Sequence, residues 1–487
     1  MRDVSLLTSA TLLSTAISGV LGLLTARLLS PELFGIWQSM RLIQQYAAYP
    51  SLGVPFSMQR EVARALAQGH RKAADRSVDV TFSFVTMITL AFAGLFLVSS
   101  VLTGWPFKPA WMLPLAAFVV ASQSYGVLLM ALAGHRRFGL SGLIDVLTSV
   151  ANLGLTVALV IFYGLTGLLV AQVSWSVLGI ALALAFGGLR PRFLVDWREV
   201  IAQARLGLQF TANGFLYLLT RSVDRLLILS MLGAKALGLY GTSLLAMGYV
   251  ELAGTAVGRV VFPHIVVRFE ARGEMSDIRG FVVRASVTLG AIGAACGGMA
   301  ALLMPPAFQL ILPRYTAALG AAQVLVLASS YLVVRSSIEY FFVAISKLYR
   351  TFPIQIAVTV AAAAGCWFAI SAGYGLTGVA MVMFGAYLAT SVGFTGYAFA
   401  HYEHDWPRVA WFLARVHLPA VYAGAVVFAL ERLLPLPGFG GDWLAMFGLR
   451  LVLYAFALTP WLLFARSRDM TGPVPAVVAA AVPEDPR

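Results

Sequence analysis

The stretch GFLYLLTRSVDRLLILSMLGAKALGLY, residues 214–240, combines the length of a membrane-spanning helix with charges that such a helix normally lacks. About 20 helical residues cross the hydrocarbon core of a bilayer. Arg221, Asp224 and Arg225 are spaced i, i+3 and i+4, so they lie on one face of that helix. Charged side chains at membrane depth are costly and are in most cases functional. The stretch therefore predicts a membrane helix with one charged, functional face.

The rest of the composition also indicates a membrane protein. Of the 487 residues, 60% are hydrophobic and 11% charged, and the mean hydropathy is +0.85. No class of soluble domain has such values. The two cysteines fall in apolar runs, which excludes a disulfide framework. The net charge of +13 follows from the loops of a membrane protein, and we expect no nucleic-acid partner.

Apolar runs of sufficient length predict fourteen transmembrane helices, and therefore an all-α polytopic protein. They cover residues 5–29, 36–59, 78–102, 110–133, 141–163, 166–188, 207–231, 238–262, 281–304, 317–346, 351–371, 376–400, 411–430 and 443–465. Of the 34 Lys and Arg residues, 22 lie in one set of alternate loops and termini, 5 in the opposite set and 7 within helices. The positive-inside rule then predicts that both termini are cytoplasmic.

The two halves of the chain resemble each other at nearly constant offset, which indicates an internal duplication. Leu29, Gly35 and Trp37 align at +203 with Leu232, Gly238 and Tyr240. The pentapeptide YGLTG at residues 163–167 recurs unchanged at 374–378, an offset of +211.

An even number of helices in each copy gives both copies the same orientation in the membrane. We therefore expect two parallel six-helix lobes, residues 1–190 and 191–405, around a central cavity. An appended pair of helices would follow at 406–470, and then a disordered cytoplasmic tail at 471–487, which is rich in Pro and Ala. Two such lobes suit alternating access, in which one lobe rocks against the other.

Polar side chains within the predicted helices suggest where a substrate binds. Gln38, Arg41, Gln45 and Tyr49 lie on one face of the second helix, which Pro50 and Pro55 should bend or break. Such a stripe indicates a cavity wall, although packing against neighbouring helices is the alternative.

In the seventh helix, Asp224 can neutralise only one of its two arginine neighbours. The surplus charge predicts an anion site, while an Arg–Asp clamp between helices remains the structural alternative. Further polar residues at membrane depth are Glu251, Arg259 and the i, i+4 pair Arg335 and Glu339. Because arginine is the preferred ligand of phosphate oxygens, the predicted substrate carries a phosphate or pyrophosphate.

Nothing in the sequence resembles an enzyme site or a cofactor site. There is no Walker motif, no His, Asp and Glu cluster for a metal, and no large loop domain to hold a sugar donor. We therefore expect a transporter that uses an ion gradient, the membrane potential or downstream consumption of its product.

The sequence VDRLLIL at 223–229, followed by Leu232-Gly233 and LGLY at 237–240, resembles the bacterial polysaccharide-biosynthesis flippases of the multidrug/oligosaccharidyl-lipid/polysaccharide exporter superfamily. Residues 26–35, ARLLSPELFG, resemble that family's first periplasmic turn. The resemblance covers residues 1–465 and implies two lobes with a cationic cavity. Asp224, Arg225 and Arg27 match the family pattern, whereas Arg41, Arg221 and Arg335 follow from depth and facing alone.

The resemblance implies export of undecaprenyl-pyrophosphate-linked oligosaccharide across the bacterial inner membrane, for O-antigen, capsule or exopolysaccharide. Two alternatives are an exporter of another lipid-linked anion, such as the peptidoglycan precursor, and a membrane polymerase or ligase. Expected partners are membrane lipids, a coupling H⁺ or Na⁺ and a polysaccharide polymerase, with the chain itself a monomer. The predicted substrate-binding residues are Arg41, Arg221, Asp224, Arg225 and Arg335, with Arg27, Gln45, Glu251 and Arg259 in secondary roles.

Overall fold

The computed structural model describes residues 2–103, 108–272, 275–344, 347–400, 405–435 and 443–466. The predicted tail at 471–487 and the side chain of Arg259 lie outside what it describes. Every regular element in these ranges is helical. The α-helices are α1 (Arg2–Leu28), α2 (Pro31–Tyr46), α3 (Val54–Ala67), α4 (Arg71–Thr103), α5 (Pro109–Gly134), α6 (Phe138–Gly187), α7 (Trp197–Arg272), α8 (Met275–Leu310), α9 (Leu319–Ala344), α10 (Phe352–Ser371), α11 (Gly375–Ala400), α12 (Trp406–Leu433) and α13 (Trp443–Arg466).

Eleven helices of the described chain are long and apolar enough to cross a membrane. Two of them, α6 and α7, are each interrupted by a glycine with non-helical dihedrals, Gly164 (φ 56°, ψ −132°) and Gly233 (φ 82°, ψ −179°). Each of these helices therefore holds two of the predicted spans. The predicted second span corresponds to α2 and α3, so all fourteen predicted segments have helical counterparts, and the all-α prediction is confirmed.

The predicted break in the second span is also confirmed. Between α2 and α3 the chain forms a short 3₁₀ turn, Tyr49–Ser51, with Pro50 in its first positions. Leu52 (φ 52°) and Gly53 (φ 75°) then adopt left-handed backbone conformations. A Cβ atom on Gly53 would lie 2.6 Å from the carbonyl oxygen of Gly207 in α7, so the break also allows two backbones to approach closely.

The described chain divides into two compact units. The first contains Met1–Leu245, Pro306–Ala322 and Gln355–Met383, and the second contains Ala246–Pro305, Gln323–Ile354 and Phe384–Arg487. The predicted division into lobes at residue 190 is a separate expectation and stays a prediction.

The core of the first unit lies between α3, α4, α5 and α6. Its buried side chains include Met58, Phe84, Leu128 and Ile144. Large apolar side chains on outer faces are exposed, for example Val101 and Phe162 at 82% and 78%. In a helix that crosses a membrane, this outward apolar surface is the surface that lipid would cover.

In the second unit, the appended helix pair packs onto α8. Tyr454 of α13 donates a hydrogen bond to the carbonyl of Ala294 at 2.8 Å, and its ring fills the space beside Gly298. In α12, the carbonyl of Val416 lies against Gly290. Glycines in α8 therefore admit both helices of the pair at short distance.

The repeated pentapeptide has the same backbone feature in both copies. Gly164 and Gly375, which are equivalent at +211, have φ values of 56° and 62°, a left-handed region that favours glycine. The last glycines of the two pentapeptides, Gly167 and Gly378, each face the tyrosine of their own copy. This shared conformation supports the duplication inferred from the sequence.

The repeats also contact each other through equivalent residues. A Cβ atom on Gly35 would overlap the carbonyl oxygen of Ala234 and lie 2.8 Å from the nitrogen of Gly238. A Cβ atom on Gly238 would overlap the carbonyl oxygen of Pro31 and lie 2.9 Å from the nitrogen of Gly35. Since Gly35 and Pro31 correspond at +203 to Gly238 and Ala234, the contact is reciprocal. This is the geometry expected of two parallel copies related by a twofold axis.

We expect Gly35→Ala and Gly238→Ala each to destabilise the protein, because the added methyl group overlaps a backbone carbonyl that cannot move aside alone. Overpacking typically costs about 1–3 kcal/mol, and this backbone contact belongs at the upper end. Thermal unfolding of the detergent-solubilised protein measures the effect. Gly126→Ala in α5 is the control, because a Cβ there meets nothing within 4 Å. Equal unfolding temperatures for all three variants would contradict the reciprocal contact.

Candidate substrate-binding site

The predicted charged face of residues 214–240 is organised around Asp224. This side chain is fully buried. Its Oδ2 accepts a hydrogen bond from the hydroxyl of Tyr240 at 2.7 Å, and its Oδ1 accepts one from the backbone nitrogen of Arg225 at 2.7 Å. Tyr240 can reach Asp224 because Gly233 turns the chain, so that residues 234–245 run back beside residues 214–232. A buried carboxylate needs such donors, since an unpaired one is strongly destabilising.

The two arginines extend from Asp224 toward the N-terminal end of α7, the direction in which helical side chains point. The guanidinium of Arg225 donates two hydrogen bonds to the carbonyl of Arg221, at 3.1 and 2.7 Å. Arg221 donates to the hydroxyl of Tyr217 at 2.8 Å, and its guanidinium lies 5.5 Å from the centre of the Tyr217 ring. These contacts fix both cationic groups in position along one face.

Arg41 of α2 joins this cluster from a different helix. Its side chain is exposed, and its charge interacts with that of Arg225. Asp224 interacts electrostatically with both Arg225 and Arg221. The structure thus brings together four of the five predicted substrate-binding residues, with Arg221 and Arg225 beside Asp224 and Arg41 beside Arg225. We call Arg41, Arg221, Asp224 and Arg225 the cationic cluster.

Two tyrosines hold α2 and the 3₁₀ turn that follows it against α7, beside the cationic cluster. The hydroxyls of Tyr46 and Ser222 lie 2.5 Å apart, and Tyr49 donates to the carbonyl of Gly214 at 2.9 Å. Both tyrosine rings also contact the ring of Phe215, at centroid distances of 6.2 and 5.2 Å. Sequence reasoning missed the role of Tyr46 and Ser222. A signal was available, since both are polar residues on predicted membrane helices.

The polar stripe of the predicted second span has a mixed environment. Arg41 is exposed and Gln45 half-buried, as a cavity wall requires. Gln38 is buried, and its amide lies against Gly241 of α7. Tyr49 is engaged with Gly214. Packing against α7 is therefore seen for Gln38 and Tyr49, whereas the cavity wall stays a prediction for Arg41 and Gln45.

The opposite side of residues 207–231 is held by α10. The hydroxyls of Thr220 and Thr359 lie 2.6 Å apart, and the amide of Gln355 donates to Asn213 at 2.8 Å. The helix that carries Asp224 and both arginines is thus hydrogen-bonded to a neighbour on either side within the first unit. The cluster is built on a firmly positioned element, as a binding site requires.

The other predicted residues have separate surroundings. Arg335 belongs to the second unit, where it is 3% exposed, pairs with Glu339 at 3.2 Å and lies 5.3 Å from the ring centre of Phe394. Glu251 is half-buried. Arg27 is exposed in the last turn of α1, where a cation complements the helix dipole. No group of three metal-ligating side chains occurs in the part of the chain that the structure describes.

We expect Tyr240→Phe to destabilise the protein by about 1.5–3 kcal/mol, because it removes a hydrogen bond to the buried Asp224 carboxylate. Thermal unfolding in detergent measures this change. Tyr374→Phe is the matched control, since Tyr374 is 65% exposed. If the two variants unfold at the same temperature, the Tyr240 hydroxyl does not stabilise the carboxylate.

Solved membrane transporters share this fold. The lipid II flippase MurJ in an inward closed conformation superimposes with a TM-score of 0.64 at 13% identity, covering 93% of this chain and 98% of that one. An inward-facing multidrug resistance MATE family transporter of the MOP superfamily has a TM-score of 0.60 at 12% identity, covering 82% and 95%. The Vibrio cholerae MATE transporter VcmN has a TM-score of 0.58 at 15% identity, covering 83% and 97%.

No curated protein matches the sequence significantly. A family model does match it, over the part of the chain that contains the cationic cluster and the glycine contact between the repeats. That model is described as polysaccharide biosynthesis protein, and it matches residues 1–267, more than half of the chain. The chain therefore belongs to the polysaccharide biosynthesis protein family.

Proposed function

We propose that this protein is a flippase that moves undecaprenyl-pyrophosphate-linked oligosaccharide from the cytoplasmic to the periplasmic face of the bacterial inner membrane. Membership of the polysaccharide biosynthesis family and the fold shared with MOP-superfamily transporters support a transport role. The observation that carries the proposal is the cationic cluster, in which three arginines on two candidate membrane helices accompany one carboxylate.

The chemistry of the cluster suits a pyrophosphate. A guanidinium group offers parallel N–H donors that match two phosphate oxygens, and it keeps its charge at any physiological pH. Asp224, the only carboxylate of the cluster, is fully buried. Its oxygens accept hydrogen bonds from the hydroxyl of Tyr240 and from the backbone nitrogen of Arg225. It reduces the repulsion among the arginines without cancelling the positive charge, so the cluster remains attractive to an anion.

The same charge balance disfavours a cationic substrate. A site for a cationic drug would be expected to present an accessible carboxylate, whereas Arg41 is the accessible member of this cluster.

The lipid tail and the glycan of the proposed substrate lie on either side of the pyrophosphate. The cluster would therefore hold the middle of an elongated molecule and leave both ends to less specific contacts.

The membrane potential favours the proposed direction. Moving one elementary charge across 100 mV is worth about 2.3 kcal/mol. A pyrophosphate that leaves a negatively charged cytoplasm moves down this potential, so part of the energy for export is available without nucleotide hydrolysis. A coupling H⁺ or Na⁺, or downstream consumption of the product, is an alternative source of energy.

A peptidoglycan precursor of the lipid II type is the second candidate substrate, because the solved structure of the lipid II flippase MurJ shares the fold over 93% of this chain. Both candidates present an anionic head group to the cationic cluster. They differ in the sugar, which the cluster does not contact in this proposal. A test of function must therefore vary the glycan while keeping the carrier constant.

We expect Arg221→Gln and Arg225→Gln each to lower flipping at least about tenfold, because each removes a charge-assisted contact to the pyrophosphate. The assay uses proteoliposomes and follows the appearance of labelled lipid-linked oligosaccharide on the opposite leaflet. A parallel series with lipid II tests the second candidate. Arg225→Lys keeps the charge and should retain more activity than Arg225→Gln.

Arg198→Gln is the control for this series, since Arg198 is an exposed residue at the start of α7. This variant also removes one positive charge, but from a position outside the cationic cluster, so it should leave transport unchanged. Full transport by both Arg221→Gln and Arg225→Gln would disprove the cationic site. Transport of lipid II alone would keep the site and overturn the proposed substrate.

A further inference from the structure

A second cationic site lies at one end of α4, α5 and α6, in the first unit. A pocket of about 470 Å³ is formed there by the first turns of α4, the α5–α6 turn and the segment that follows α6. Its volume lies within the usual range of ligand pockets, about 300–1,000 Å³. Its charged lining consists of Arg71, Lys72, Asp75, Arg76, Asp79, Arg137, Arg190 and Arg192. Six cations thus face two carboxylates, and none of these residues belongs to the cationic cluster described above.

Three of these charged residues form ion pairs or hydrogen bonds that shape the pocket. Arg76 pairs with Asp196 at 2.6 Å and with Glu199 at 3.2 Å, and its guanidinium holds the pKa of the Asp196 carboxyl below its usual value. Arg137 donates to the carbonyl of Gly187 at 2.8 Å, which closes the end of α6. Asp79 accepts a hydrogen bond from the backbone of Arg192 at 2.8 Å. These contacts tie the segment after α6 to α4 and preform the pocket.

The remaining cations are directed to solvent. Arg71, Lys72, Arg190 and Arg192 are exposed, and none of them forms an ion pair with a carboxylate of the described chain. Four like charges around one preformed pocket repel one another, and an anion that enters between them relieves this repulsion. A phosphate group is suited to such a site, because it accepts several charge-assisted hydrogen bonds at once.

Aromatic side chains beside the pocket indicate where the anion comes from. Phe193 directly follows the lining residue Arg192 and is 78% exposed, and Trp197 is 55% exposed. Phe186, just before the lining residue Gly187, is 67% exposed. Tryptophan is enriched at membrane–water interfaces, where its ring sits at the level of the lipid head groups, and exposed phenylalanines suit a surface that lipid covers. These neighbours of the pocket lead us to expect that it opens near the lipid phosphates.

We propose that this pocket binds the phosphate head group of an anionic membrane lipid. By the charge asymmetry of the loops, that lipid belongs to the cytoplasmic leaflet. The proposal does not depend on the transported substrate, since the pocket is built from residues outside the cationic cluster. A lipid held there would bridge α4 to the turns at both ends of α6, and would thereby stabilise this part of the first unit.

Native mass spectrometry of the detergent-solubilised full chain tests the proposal, with phosphatidylglycerol as the probe and phosphatidylcholine as the neutral comparison. We expect the protein to retain phosphatidylglycerol in preference. The double variant R190Q/R192Q should bind it about 30-fold more weakly, because each basic residue near an anionic lipid contributes about fivefold. A second pair, R71Q/K72Q on the first turn of α4, should have a similar effect and covers the case in which the first variant does not fold.

The matched control is R198Q/R205Q, which removes two exposed charges from the first turns of α7 without touching the pocket. It should retain phosphatidylglycerol like the unmodified protein. Equal retention by R190Q/R192Q, R71Q/K72Q and this control would overturn the proposal. A third arm measures thermal unfolding with inorganic phosphate. Stabilisation by phosphate as large as that by phosphatidylglycerol, lost in the same variants, would show a site for a soluble anion and overturn the lipid assignment.

Discussion

The burial of one carboxylate in a cluster with three arginines is the constraint on which the candidate site depends. Asp224 is fully buried, and Tyr240 and the backbone of Arg225 satisfy its oxygens. Without it, the positive charges of Arg41, Arg221 and Arg225 would lie close together with no negative charge to offset their repulsion. With it, the charges are held close together while an excess of positive charge persists. Tyr46 and Tyr49, in α2 and the turn that follows it, contact the helix that carries both arginines, and Thr359 of α10 contacts it as well. These contacts fix the position of that helix.

The positions of the helices could be predicted from hydrophobicity alone, because each span must satisfy its own backbone in a bilayer. Local backbone features could also be predicted from the sequence. Pro50 and Pro55 predicted the break in the second span, and the boundary between the predicted spans 141–163 and 166–188 falls at Gly164, where the chain turns. These predictions succeeded because proline fixes its own φ and removes a backbone donor, while glycine tolerates the positive φ that a tight turn needs.

The environment of individual polar residues was harder to predict. The spacing of Gln38, Arg41 and Tyr49 places them on one face, but it does not say which neighbouring helix covers which part of that face. Gln38 is covered by Gly241, and Tyr49 bonds to Gly214, so only part of the stripe is accessible. The contact between Tyr46 and Ser222 joins residues 176 positions apart, and no local pattern reports such a pairing. The pairing of Arg335 with Glu339, by contrast, follows from helical spacing.

The reciprocal approach of Gly35 and Gly238 has an evolutionary consequence. In this contact, Gly35 meets Gly238 and Ala234, and Gly238 in turn meets Gly35 and Pro31, which is how the two chains of a twofold homodimer meet. A single six-helix chain could form the same contact with a second molecule of itself, but every charge near the axis would then occur twice. Fusion of the two copies removes that restriction. The positions equivalent to Arg221 and Asp224 in the first copy hold Ser18 and Leu21, so one half of the gene was free to acquire a charged helix while the other remained neutral there.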